Sequence, residues 1–255
     1  MDKARFLAAC ELVLNKRREA AGIGTLGEKA LHAVLKHYLC PDEQTHEVPV
    51  GRFVADILCE DGIFEIQTRG FEKLREKLAY FLTLGPVTVV YPLPHTKWLS
   101  WIDEETGEVS KKRKSPKTGT AYEAFFELYR IKPLLCHPNL RLRIMLIDVE
   151  DYRRLNGWSM DKKRGSSRSE RIPVALAGEV VINTPADYAQ LIPDMQEEYF
   201  TSKDYAAAAK LPLYKAQTAL NVLCSVGVIE KAGKRGRLQL YSQAMPDKGA
   251  SDVDT

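Results

Sequence analysis

A chain of 255 residues is long for one minimal core and suits two modest ones. Its 45% hydrophobic and 28% charged residues leave enough apolar surface to bury, which excludes wholesale disorder. The net charge of +3 hides an asymmetry: from Glu108 to Arg171 sixteen Lys and Arg stand against eight acids, a balance suited to a polyanion.

No apolar run reaches the roughly 18 residues needed to cross a bilayer, so no membrane partner is expected. The opening residues, Met1-Asp2-Lys3-Ala4-Arg5-Phe6, lack the apolar stretch of a signal peptide, and the expectation is a cytoplasmic protein. Five scattered cysteines (Cys10, Cys40, Cys59, Cys136, Cys224) form no close pair of the zinc or redox kind and read as reduced, mostly buried small residues.

In chain order, residues 3–20 carry Phe6, Cys10, Val13 and Leu14 at helical spacing, with Gly22 and Gly24 as the stop. A second helix follows Thr25, its stripe formed by Ala30, Leu31, Val34, Leu35 and Tyr38, and Pro41 marks its exit. Two strand-like runs, Gly51 to Cys59 and Ile63 to Thr68, flank Glu60-Asp61-Gly62, a strong hairpin signal. Phe71, Leu74, Leu78, Phe81 and Leu82 restore a helical period up to Gly85-Pro86, and Val87 to Tyr91 reads as a strand buried on both faces. Beyond Pro94 come a hairpin starting with Trp98 to Ile102, a basic loop over Lys111 to Lys117, and a helix from Ala121 to Leu135. A strand over Leu140 to Val149, a loop over Asp161 to Arg171 and a last strand over Pro173 to Ile182 complete this part. The run Lys111-Lys112-Arg113-Lys114 is equally well read as a solvated loop.

Asp56, Glu65 and Gln67 stand out as polar residues in otherwise apolar strands, because Asp and Glu are poor strand formers. Strand side chains alternate, so Glu65 and Gln67 share a face, and a tight turn sets Asp56 opposite one of them. Two adjacent, partly buried carboxylates repel unless one is protonated or a cation neutralises both. Mg2+ or Mn2+ meets that need, since one or two carboxylates hold it while it keeps waters and phosphate oxygens.

Glu28, then Asp56, then Glu65-Ile66-Gln67, then the Phe71 helix and the Val87 strand resemble the PD-(D/E)xK nuclease superfamily over residues 20–95. The resemblance implies a restriction-endonuclease-like α/β core, a mixed sheet flanked by helices. It also implies catalytic roles for Glu28, Asp56, Glu65 and Gln67, with Asp56 and Glu65 as metal ligands. Gln67 departs from the pattern by standing where the family has lysine, and a neutral amide can only donate or accept hydrogen bonds. Arg69, Lys73 and Lys77 are candidates for a relocated cation. Glu28 has a second reading, because Thr25-Leu26-Gly27-Glu28 fits a capping box.

From Ala186 to Tyr241 the order is a short helix, a capped helix beginning near Thr201 or Ser202, a turn at Leu211-Pro212, a longer helix to Ser225 and two strands around Gly233-Lys234-Arg235-Gly236-Arg237. This resembles a winged helix-turn-helix. In that family the second helix of the pair enters the major groove and the hairpin reaches phosphates. DNA-binding residues implied are Lys215, Gln217 and Asn221 on the helix and Lys231, Lys234, Arg235 and Arg237 on the wing.

The expected domains are therefore a nuclease-like core over 1–182, a winged-helix domain over 183–245 and a disordered tail over 246–255. The expected function is a metal-dependent DNA endonuclease with DNA as partner and homodimerisation left open. The rival is a degenerate DNA-binding or regulatory protein that keeps the core as scaffold.

Overall fold

The structure is a computed structural model that describes residues 1–20, 30–103, 105–154 and 167–244; of residues 17–20 and 168 only the backbone is described. The glycine stop, the Thr25–Glu28 capping box, Glu28 itself, the 161–166 part of the loop and the 246–255 tail lie outside the described residues. Contacts group the chain into two interleaved compact units. One holds Met1–Thr68, Gly85–Ala121 and Arg143–Val180; the other holds Arg69–Leu84, Tyr122–Leu142 and the residues from Val181 on.

In the first unit, helices α1 (Lys3–Ala20) and α2 (Ala30–Leu39) precede strands β1 (His46–Val50), β2 (Phe53–Cys59) and β3 (Gly62–Ile66). Strands β4 (Val87–Ile102), β5 (Arg113–Lys114), β6 (Leu140–Arg154) and β7 (Ser167–Ile182) complete a seven-stranded sheet. Its order is β1-β2-β3-β4-β6-β7, with β5 paired to β4. β1, β2 and β3 are antiparallel neighbours while β3 and β4 run parallel, so the protein is mixed α/β with a mixed open sheet. The apolar stripes of α1 and α2 close over it: Phe6, Val13, Val34 and Leu35 join Ile57, Phe64, Val90, Met145 and Ile147 in one buried cluster. Burial of each such side chain contributes on the order of 1.5–3 kcal/mol.

Several expectations changed on folding. β1 was not read as a strand, because Pro49 and the polar His46 and Glu47 break the apolar alternation; it persists at the end of the sheet order, where a missing amide is tolerated. The separate strands at 87–91 and 98–102 are one strand running through Pro92 and Pro94. Those prolines are two apart, so both missing donors fall on the same side of β4 and the other side stays able to bond. Part of the basic loop is strand β5, paired Trp98↔Lys114 and Leu99↔Arg113. Ser167 to Arg171, read as loop, belongs to β7.

The β2–β3 hairpin turns on Glu60 and Asp61, with Cys59↔Gly62 the closing pair. Gly62 has φ +109°, and a Cβ there would lie 2.4 Å from the Pro86 carbonyl oxygen, so glycine is required where β3 starts beside β4.

The second unit begins with α3 (Phe71–Leu82), whose Phe71, Leu74, Leu78, Phe81 and Leu82 are buried as their spacing predicts. Its ends are capped from residues 122–142. The Phe71 N–H donates to the buried Glu127 carboxylate at 2.9 Å, and Asn139 Nδ2 donates to the Leu82 carbonyl at 3.0 Å. The helix expected over Ala121–Leu135 is instead a 3-10 turn (Ala121–Ala124), one α turn α4 (Phe125–Leu128) and a second 3-10 run (Tyr129–Leu134). A non-helical residue falls at Ile131, with φ −110°, two before Pro133, which has no amide to donate.

Further along the same unit, a 3-10 turn (Pro185–Leu191) leads to α5 (Ser202–Ala208), α6 (Leu213–Ser225) and a two-stranded hairpin of β8 (Ile229–Arg235) and β9 (Leu238–Gln243). Thr201 starts α5 through a capping box with Asp204. Phe200 exchanges backbone hydrogen bonds with Tyr241 at 3.0 and 2.8 Å, adding a third short strand to the hairpin.

Candidate functional site

Backbone pairing of the β2–β3 hairpin runs from Cys59↔Gly62 to Ile57↔Phe64. Asp56 and Glu65 lie one residue beyond the last of these pairs, Asp56 on β2 and Glu65 on β3. There the strands separate, and carboxylates replace carbonyls as acceptors. Glu65 Oε1 accepts the Asp56 N–H at 3.3 Å, and Asp56 Oδ2 accepts the Ile66 N–H at 2.7 Å. β3 meanwhile stays with β4, the Gln67 N–H donating to the Val90 carbonyl at 2.9 Å. Glu65 is buried, at 2% exposure, whereas the Asp56 side chain keeps 21%. Gln67 is half-buried immediately after β3.

Asp56 is approached by a residue that the sequence pattern did not single out. His32 on α2 brings Nε2 to 3.2 Å from Asp56 Oδ2. The approach is off-axis, since this buried nitrogen makes no hydrogen bond. One turn along α2, the buried Lys36 places Nζ 2.8 Å from Glu47 Oε1. The hydrogen bond and charge of Lys36 hold the Glu47 carboxyl below its usual range, with smaller influences from His32 and Asp56. Glu47 adopts φ +53°, a left-handed conformation rare for a non-glycine residue. The apolar stripe of α2 told which face is buried but gave no weight to His32 and Lys36, one turn apart on that helix.

The Glu65 carboxyl is buried and that of Asp56 is partly exposed, and each accepts a backbone amide of the other strand. Among the described residues no group of three or more His, Cys, Asp and Glu could hold a metal ion. Asp56 and Glu65 leave two candidate ligands, and Glu28 lies outside the described residues.

The C-terminal candidates fall on one module. Gln217 and Asn221 are exposed on α6, Lys215 is half-exposed, and Thr218 lies between them. Ala216, Leu220 and Leu223 are buried as expected, whereas Cys224 is only half-buried. Lys231, Lys234 and Arg235 are exposed on β8, and Arg237 is exposed in the turn beside Gly236. Asn221 is engaged: its Oδ1 accepts from Lys132 Nζ at 3.0 Å. At the start of α6 Tyr214 is 61% exposed, a residue the helical pattern did not single out.

These features define a mixed α/β protein whose open sheet carries an acid pair at a hairpin and whose C-terminal module carries a basic one. The chain belongs to the family described as Domain of unknown function (DUF8091), which matches residues 29–183 and so takes in the acid pair. It is similar to a protein of Treponema pallidum (strain Nichols) named "Uncharacterized protein", with 29% identity over 236 residues, 90% of each chain. No solved structure matches it. Among the described residues no helix is long and apolar enough to cross a membrane.

Proposed function

We propose that this protein is a divalent-metal-dependent DNA endonuclease with a restriction-endonuclease-like core and a C-terminal winged helix. The observation that carries the reading is the pair of hydrogen bonds that ties Asp56 and Glu65 across β2 and β3. The two carboxylates would hold Mg2+ or Mn2+; the ion when bound lowers the pKa of water and takes up charge on a phosphate. Gln67, beside the pair, orients a water or a phosphate oxygen by hydrogen bonding. Asp56 faces solvent enough for substrate to reach it, while buried Glu65 is held by its bond to the opposing strand.

The order α5, α6, β8, β9, with Phe200 bonded to β9, supports the winged-helix reading. The exposed face of α6 and the cations at the hairpin tip would meet DNA, the tip through salt-sensitive phosphate contacts.

Purified protein is expected to cleave duplex, branched or single-stranded DNA with Mg2+ or Mn2+, and Asp56→Asn to abolish cleavage while DNA affinity persists. Absence of cleavage on all three substrates by folded protein would defeat the enzymatic reading. A second reading, a DNA-binding scaffold without catalysis, is favoured by Gln67 and by the structural bonds both carboxylates make. Calorimetric titration with Mn2+ separates them: a scaffold binds the ion no better than its Asp56→Ala, Glu65→Ala double variant.

A further inference from the structure

Residues 125–132 divide their apolar side chains sharply. Phe125, Leu128 and Ile131 are buried, while Phe126 and Tyr129 remain 48% and 45% exposed. Each exposed ring carries a cation. The Arg130 guanidinium lies 4.9 Å from the Phe126 ring centre, and Lys132 Nζ lies 5.2 Å from that of Tyr129. Glu127, the acid in this stretch, is buried and turned inward onto the Phe71 amide, so it does not offset the two cations. Lys132 also bonds Asn221 on α6, and with Gln217, Lys231 and Tyr241 it lines a groove beside that helix.

Exposed aromatic rings interleaved with cations suit a ligand that offers flat π-faces and regular negative charge together, as an unpaired nucleic-acid strand does. Charge complementarity with phosphates favours this occupant over an acidic or apolar protein face. We propose that Phe126 and Tyr129 form a stacking platform for unpaired bases, with Arg130 and Lys132 holding the adjoining phosphates. This rests on the DNA-binding reading and deepens it: the strand engaged here is single, or a duplex opened locally.

The test uses the full chain and fluorescence anisotropy at low salt with three labelled probes: a 12-nucleotide oligo(dT), its abasic counterpart with the same phosphates, and a blunt 20-base-pair duplex. Phe126→Ala with Tyr129→Ala is expected to weaken oligo(dT) binding about tenfold or more per ring, and duplex binding less than twofold. The abasic strand is expected to bind wild type about as weakly as oligo(dT) binds the variant. Phe126→Trp with Tyr129→Phe is expected to retain affinity, and unchanged thermal melting of each variant keeps the comparison on binding. Equal losses on oligo(dT) and duplex, or abasic binding as tight as oligo(dT), would overturn the platform while leaving DNA binding intact. If no probe binds wild type, the DNA-binding reading fails with it. A dimer that dissociates in the Ala variant at unchanged oligo(dT) affinity would identify a protein interface and overturn the proposal.

Discussion

Asp56 and Glu65 are tied to each other through the backbone: Glu65 Oε1 accepts the Asp56 amide at 3.3 Å, and the Asp56 carboxylate accepts the amide of Ile66, the residue after Glu65, at 2.7 Å. The acids therefore close the fork between β2 and β3. Structural and chemical roles separate by substitution. Asp56→Asn keeps an oxygen acceptor for the Ile66 amide and should lose little stability, whereas Asp56→Ala orphans that amide at about 1–3 kcal/mol. Urea unfolding of both variants checks this, and equal losses would show that the acceptor is irrelevant.

Gly62 starts β3 with its α-carbon against Pro86. Gly62→Ala combines a disfavoured φ with a 2.4 Å clash against backbone, and should cost well over 1 kcal/mol. Because β3 carries Glu65, the same variant should weaken Mn2+ binding. Thermal melting and metal titration together test the point; a variant with wild-type values on both would refute it.

The exposed cations of the hairpin tip should appear in the salt dependence of DNA binding. Each phosphate contact adds about 0.9 to the slope of log K against log salt. Replacing Lys234, Arg235 and Arg237 with Gln should lower that slope by about 2–3 on a duplex, measured between 50 and 200 mM salt. An unchanged slope would remove the wing from the interface.

Asp148 on β6 accepts His95 Nδ1 at 2.9 Å and the Thr96 N–H at 2.8 Å. Burial raises its pKa, but hydrogen bonds from His95 and Thr96 outweigh this and leave it below the usual value. A lowered folded pKa stabilises above the unfolded value, about 3.9, and the stabilisation is lost as pH falls through the folded one. Asp148→Asn should therefore melt below wild type at pH 7, with the gap narrowing below about pH 4. A gap constant from pH 7 to pH 2 would contradict the assignment.

Thr201 is buried, and its hydroxyl accepts the Lys203 and Asp204 amides at 3.2 and 3.4 Å while donating to the Asp204 carboxylate at 2.8 Å. Loss of this cap in Thr201→Ala should cost about 1–2 kcal/mol, and Thr201→Ser should recover most of it. Denaturant midpoints of the two variants provide the comparison.

The hairpin that carries Asp56 and Glu65 was legible because Asp61-Gly62 marks a reversal between two apolar strands, in which the acids are conspicuous. The capped start of α5 and the buried stripes of α2 and α3 were legible for the same reason: each rests on neighbours in sequence. What escaped was long-range. His32 gains its meaning only when α2 is laid near β2, and Glu47 sits in a strand whose proline and polar residues suppress the alternation. The helix expected over Ala121–Leu135 failed because its apolar spacing outweighed Pro133 in the reading but not in the folded chain. The continuity of β4 across Pro92 and Pro94 depends on which side of the strand its neighbours occupy, which no local pattern records.

The Phe71–Glu127 bond has a consequence for biosynthesis. α3 emerges from the ribosome long before the side chain that completes its first turn, and the polar group that closes its last carbonyl comes later still. The nascent helix is then short, without those two long-range bonds and apolar along one side, a state that isolated helices of this length barely sustain in water. Translation therefore leaves this segment waiting for residues 122–142. A pause or truncation before them should expose a sticky helix to chaperones or to neighbouring chains.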